Sequence, residues 1–329
     1  MWGQSPSQVL DSLGVTADLA GAEAPGLEWT HRHDGGRDIY FIANTGAAAV
    51  ETTLSLRAAA PRVAVWDAVA GQRMAAPVWQ AQGGRTVLPL NLAAGESRFI
   101  VLDQGPPPRH LAQARLAAGQ ALTSQDGRIM LARAGAAALV RADGRSLAPV
   151  VAPAPPPIVL DQPWTLRFSG WRAPADRLTL ARPALWNTLD PDRVRFHAGS
   201  GEYATQIALP RSLFARDRRL LLDLGAVHEM AEVVVNGRRA GLCWIAPFRL
   251  DITAFLHPGR NTIAVTVTNV WHNRLVGDRY LPEAERIAWV YPRLRGTKDW
   301  LPAKDAPLLP AGLAGPVRIV PETLVDIPA

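Results

Sequence analysis

Ala231-Glu-Val-Val-Val-Asn-Gly-Arg-Arg-Ala240 decides how the rest of this chain is read. A short β-branched run, an Asn-Gly pair and a second short run spell a two-residue hairpin. The tight turns that match strand twist need φ > 0 at both central positions, and Asn-Gly supplies it most cheaply. Downstream, His257-Pro-Gly-Arg-Asn261 reads as another turn. Beyond it Ile263, Val265 and Val267 alternate with Thr262, Ala264, Thr266 and Thr268, the period of a strand with one buried face. Leu220 to Leu224 is a further short strand. Strands at this spacing with no helices between them predict an antiparallel, jelly-roll-like sandwich, because parallel sheets need crossover helices.

Upstream the pattern repeats. Ile39 to Ala43 ends at Asn44-Thr45-Gly46, and Val50, Thr52, Leu54 and Leu56 alternate with polar residues. Val63 to Trp66, Thr86 to Leu92 and Arg98 to Leu102 follow. Gln104-Gly-Pro-Pro-Pro-Arg109 and Ala152-Pro-Ala-Pro-Pro-Pro157 read as linkers, since consecutive prolines cannot join a ladder. Between them Asp126-Gly127 and Asp143-Gly144 predict hairpins. Near the N-terminus Ser5, Pro6 and Gly14 mark the cap, first turn and end of one short helix. The expected fold is all-β: two β-sandwich domains, the second a jelly roll, with a short N-terminal helix. The expected boundaries are 1–26 (helical remnant), 27–103 (sandwich), 104–157 (Pro-rich linker with hairpins) and 158–329 (jelly roll).

Composition bounds the function. Of 35 basic residues all but Lys298 and Lys304 are arginine, and they interleave with 29 acids along the whole chain. The net charge of +6 is therefore not a patch, which argues against a nucleic-acid partner. No apolar run approaches the roughly 20 residues of a membrane helix, and the N-terminus shows no export signal. Cys243, the only cysteine, reads as a buried apolar residue.

Four tests for chemistry give little. Glycoside hydrolysis needs two opposed carboxylates; Glu283 and Glu285 flank one residue in a Pro-containing segment and read as solvated, and Glu202 has no evident partner. Gly199-Ser-Gly201 precedes a strand, so it makes no dinucleotide loop, and Ala198-Gly-Ser-Gly-Glu-Tyr203 lacks the leading glycine of a nucleophile elbow. His31 and His33 have strand spacing for zinc but no third ligand. Asn187, Asp190 and Asp192 carry the oxygen donors a structural calcium takes, and also suit an ordinary turn.

Carbohydrate contact is the live possibility. Trp271, Asn273, Arg274 and Asp278 lie just beyond the Ile263–Thr268 strand and combine an aromatic face with hydroxyl-binding groups. Two other readings compete: an Arg274–Asp278 ion pair fixing the loop with Trp271 in the core, and a surface that docks on another domain. His197, Tyr203 and Trp244 read as core or sheet-face residues.

Several blocks carry a resemblance. Phe196-His-Ala-Gly-Ser-Gly-Glu-Tyr203, Leu222-Asp-Leu-Gly225, Ala231–Gly237, Pro247-Phe-Arg-Leu-Asp-Ile-Thr253 and Pro258-Gly-Arg-Asn261 resemble the galactose-binding-like sugar-binding domain of family 2 glycoside hydrolases. Thr268-Asn-Val-Trp-His-Asn-Arg-Leu-Val-Gly-Asp278 with Gly312-Leu-Ala-Gly-Pro-Val-Arg318 resembles glycoside hydrolase family 106, the α-L-rhamnosidases. His31-Arg32 and Asp38-Ile-Tyr-Phe-Ile-Ala-Asn44 resemble the domain after the catalytic barrel in that family. The resemblance implies that the acid, the base and the catalytic metal ligands belong to a barrel of about 250 residues, and only 26 residues precede Leu27. The chain is thus expected to be an accessory, non-catalytic, carbohydrate-binding-type region of such an enzyme, truncated or split from it. An autonomous carbohydrate-binding module and a partner subunit of a separately encoded barrel are the alternatives. The partners implied are carbohydrate, including rhamnose-containing polysaccharide, and a catalytic barrel. No cofactor is expected beyond the calcium, and the compartment implied is periplasmic or secreted.

Overall fold

The structure, a computed structural model, describes residues 3–117, 120–132, 136–151, 155–288 and 302–327. It is all-β. Strand pairs are antiparallel throughout the described ladders, and the helices are the short Pro6–Ser12, Asp192–Arg195 and His272–Asp278 with a few single 3-10 turns. The chain divides into two compact units, Met1–Ala154 with Thr323–Ala329, and Pro155–Glu322.

In the first unit a five-stranded sheet runs in the order Leu27–Asp34, Arg37–Asn44, Ser97–Asp103, Arg62–Asp67, Gln72–Ala75. It faces a four-stranded sheet ordered Leu19–Ala20, Val50–Leu56, Arg85–Leu92, Gln80–Gln82. Tyr40, Ile42, Ile100 and Leu102 from the first sheet meet Leu54, Leu56, Leu88 and Leu92 from the second in one buried cluster. The alternation that predicted the strands is what delivers these residues to one face. Helix Pro6–Ser12 carries the expected cap: Ser5 and Gln8 exchange side-chain and backbone bonds, which satisfies two orphan donors of its first turn.

The segment 110–151 contributes a three-stranded sheet ordered Leu111–Arg115, Ala136–Arg141, Ser146–Val151 and a hairpin of Ala121–Gln125 with Arg128–Ala132. Both Asp-Gly pairs are hairpin turns. Asp126 and Gly127 stand at φ 49° and 73° between paired Gln125 and Arg128. Leu324, Val325 and Asp326 pair with Ala132, Leu131 and Met130. Ile327, Ile129, Leu131 and Leu139 share a small core there. Of the second proline segment, Ala152–Ala154 lies outside the described residues.

The second unit is a sandwich. One sheet has six strands, ordered Arg177–Leu180, Trp164–Ser169, Ser200–Leu209, Gly259–Thr268, Met230–Val235, Arg238–Cys243. Its longest ladder runs from Ser200 opposite Thr268 to Leu209 opposite Gly259. Ile263, Val265 and Val267 all point inward and are fully buried, and they meet Leu220 and Leu222 of Arg218–Asp223 and Ile319 in one core. The Asn236-Gly237 turn stands at φ 50° and 76° and joins Val235 to Arg238. Asn261 locks the neighbouring turn. Its amide donates to the carbonyls of His257 and Gly259 at 2.7 and 2.9 Å and accepts from His257 N and Asn236 Nδ2 at 3.0 and 2.8 Å. Every polar atom of this fully buried side chain is thereby satisfied.

Cys243 is buried, as its apolar neighbours suggested, and burial pushes its thiol up to about 11. Trp244 departs from expectation. It lies in the loop after Arg238–Cys243 and is 51% exposed, because the strand ends one residue before it and no opposing strand covers that position.

Candidate functional site

The residues proposed from sequence gather at one end of the second unit. After Gly259–Thr268, the Asn269 side chain bonds back to Gly199 N and the His197 carbonyl, both at 3.0 Å. The chain then forms the helix His272–Asp278 instead of an open loop. Spacing of i, i+4 puts Arg274 and Asp278 on one helix face. Arg274 Nε lies 2.9 Å from Asp278 Oδ1, with side chains 7% and 6% exposed. The ion-pair reading is therefore the observed one. Burial works against the Arg274 charge and lowers its pKa, and Asp278 opposes that.

Asp278 has further obligations. Its two carboxylate oxygens accept the backbone N–H groups of Ile287 and Ala288 at 3.1 and 2.6 Å. Asn273 is 1% exposed, and its amide brackets the backbone of Leu309: Nδ2 donates to the carbonyl and Oδ1 accepts the N–H, both at 2.8 Å. Gly277 is required where it stands, since a Cβ there would lie 2.6 Å from the Phe196 side chain. Tyr280 stacks on Phe196, ring centres 5.9 Å apart, and donates to the Lys304 carbonyl at 2.8 Å. The helix thus ties down two returning segments, 286–288 and 302–309. Trp271 is the exception among the four candidates. It stands just before the helix and is 48% exposed, not in the core.

The other candidates fall as follows. Asn187 Oδ1 accepts Ala311 N at 2.9 Å, while Asp190 and Asp192 both turn to Arg195, Asp192 at 3.1 Å. The three do not converge, and among the described residues no group of three His, Cys, Asp or Glu side chains is arranged to hold a metal ion. His31 spends both ring nitrogens on Asp18 and Asp38 at 3.0 Å and stacks on Tyr40; His33 joins Asp38 at 3.1 Å. Glu283 and Glu285 sit on one exposed 3-10 turn, and Glu202 faces solvent from Ser200–Leu209.

His197 is only 3% exposed. Burial lowers its pKa, against the pull of nearby Ser200 and Ser169 backbone and with a small push from the Arg274 charge. Its neutral form is favoured in the fold, whereas an unfolded histidine protonates near pH 6.5. The resulting stability is fully present above about pH 6.5 and declines as pH falls from there toward the lower folded pKa. Urea midpoints between pH 7.5 and 5 should show that decline, and His197→Gln should have a flatter profile.

One feature was not singled out from sequence. A cavity of about 260 Å3 lies beside His197 and Arg274, walled by Trp171, Arg172, Arg193 and Ile287. Among the described residues no carboxylate lines it. Two cavities in the first unit have a single carboxylate each, Asp143 and Asp103, so none of the three presents the opposed pair that glycoside hydrolysis uses.

With that geometry in hand, comparison places the chain among known proteins. Over 195 residues, 54% of its length, it is 33% identical to a protein named putative β-glucuronidase from Formosa agariphila, of which the match covers 16%. Across 96% of its length it superposes on the rhamnosidase of Novosphingobium sp. PP1Y, with a TM-score of 0.72 and 29% identity. Both names are those of glycosidases. The chain is similar to a part of each, and spans about a quarter of the rhamnosidase and about a sixth of the other protein. No family model matches it. Among the described residues no helix is long and apolar enough to cross a membrane.

Proposed function

We propose that this chain is an accessory, non-catalytic β region of an α-L-rhamnosidase-like glycoside hydrolase of family 106 type, carbohydrate-binding in character, that supports or positions a catalytic barrel. The observation that carries this reading is the superposition of nearly the whole chain on about a quarter of a rhamnosidase. The blocks around Trp271 and Gly312 add the narrower family likeness, and a periplasmic or secreted setting belongs to the same reading. Physically, the carboxylate of the helix His272–Asp278 is spent on structure: Asp278 holds Arg274 and two backbone amides. A carboxylate so committed lacks the freedom of a general acid.

The test is turnover. Purified chain is incubated with an aryl α-L-rhamnoside and an aryl β-D-glucuronide. The expected result is release of the aryl alcohol at the buffer rate. Sustained turnover that co-elutes with the chain and survives a mock purification control would defeat the reading. The open aromatic faces of Trp171, Trp244 and Trp271, 67%, 51% and 48% exposed, favour a second reading, a carbohydrate-binding module that acts on its own.

A further inference from the structure

The Trp171 turn carries three features that folding alone does not require. Strand Trp164–Ser169 leads into Gly170, and Ala173 N–H closes a four-residue turn on the Gly170 carbonyl at 3.4 Å. Its third residue is Arg172, at φ 49°. Glycine or asparagine occupies such a position at least cost, and a long side chain there is strained. The second residue, Trp171, is 67% exposed. The guanidinium of Arg172 lies 5.8 Å from the centre of its ring. Strain and exposure held together at one site point to function.

The cavity beside this turn is selectively charged. Arg193 is neutralised by Asp176, which it grips with Nε and Nη2 at 2.7 Å each. Arg274 is neutralised by Asp278. Arg172 has no ion-pair partner among the described residues, so it is the cavity's uncompensated charge. His197 also contributes to the cavity wall. The volume of about 260 Å3 lies just below the roughly 300 Å3 where drug-sized sites begin. Its size suits a small ligand such as a single sugar residue.

We infer that this cavity binds a single acidic sugar residue, stacked on Trp171, with its carboxylate or sulfate on Arg172. The indole supplies the flat apolar face for the C–H side of a pyranose ring. A guanidinium bonds a planar anion through two N–H groups, about twice as strongly as a neutral pair. A neutral sugar leaves that charge idle. This site goes beyond the accessory reading and does not depend on it, since turnover and binding are separate measurements.

Titration of the whole 329-residue chain with methyl β-D-glucuronide, glucose 6-sulfate and methyl β-D-glucoside, followed by indole N–H resonances, tests it. The Trp171 resonance, assigned with Trp171→Phe, should move with an acidic probe, and which of the two acidic probes moves it identifies the anion. The neutral glucoside should bind about tenfold more weakly or worse. Trp171→Ala and Arg172→Gln should each weaken the acidic probe about tenfold, both being exposed substitutions that leave the core intact. Trp271→Ala should leave it unchanged. The inference is overturned if neither acidic probe moves Trp171 at millimolar concentration, if the neutral glucoside binds as tightly, or if Trp171→Ala binds like the unaltered chain.

Discussion

Asp278→Ala is expected to lower the stability of the second unit by about 3–5 kcal/mol, because it leaves a buried guanidinium without its counter-charge. Asp278 is the counter-charge of Arg274, whose pKa burial lowers. The same substitution frees the N–H groups of Ile287 and Ala288. A loss of this size is a large part of the 5–15 kcal/mol typical of a domain, so urea unfolding should register it directly. Adding Arg274→Met should recover part of the loss, since the stranded charge is then gone while the two amides remain uncapped. A single-variant loss below about 1 kcal/mol would mean that the pair is not buried as described.

Trp186→Ala is expected to cost about 3–5 kcal/mol, the range for emptying a large aromatic from a core. Trp186 is fully buried. Phe168 meets it edge-on with ring centres 5.8 Å apart, Tyr203 stacks at 6.4 Å, and its Nε1–H donates to the His197 carbonyl at 3.3 Å. Two glycines make room for it. A Cβ on Gly201 or Gly312 would stand 2.8 Å from the indole carbons, closer than side chains pack. Such a site cannot close around alanine without moving both strands, so the cavity remains and its cost with it. Trp186→Phe, which keeps most of the ring volume, should lose clearly less. Thermal unfolding of the two variants side by side checks the order, and equal losses would point to the N–H bond instead of the packing.

Local signals carried most of the architecture. The alternation at Ile263, Val265 and Val267 and the Asn-Gly and Asp-Gly pairs need only a few neighbouring residues to be read, and all of them appear as strands and turns. The ion pair was legible for the same reason, being four residues apart on one turn of chain. What escaped was long-range. Asn273 is committed by Leu309, 36 positions away, and Asp278 by Ile287 and Ala288. No spacing rule announces those partners. Nothing in the sequence around Thr268–Asp278 caps a helix either, and none of its side chains does; tertiary contacts hold it. Trp171 belongs to no strand pattern and was not singled out. The signal was available in Gly170-Trp171-Arg172, a turn whose tip carries two bulky residues where small ones are cheapest. Likewise the strand Arg318–Asp326 is one continuous β run along the chain, while its partners lie far away in sequence, Ile158 and Val159 for one part and Met130–Ala132 for the other.

Both the accessory reading and the acidic-sugar site require that Asn273 and Asp278 serve the chain's own backbone instead of a ligand. Amide hydrogen exchange of Leu309, Ile287 and Ala288 in the unliganded protein measures this most directly. All three N–H groups should exchange at least about a hundredfold more slowly than open chain, with Leu309 released by Asn273→Ala and the other two by Asp278→Ala. Exchange at open-chain rates in the unaltered protein would show those side chains to be unengaged, and would return Asn273, Arg274 and Asp278 to the role of a sugar-binding surface.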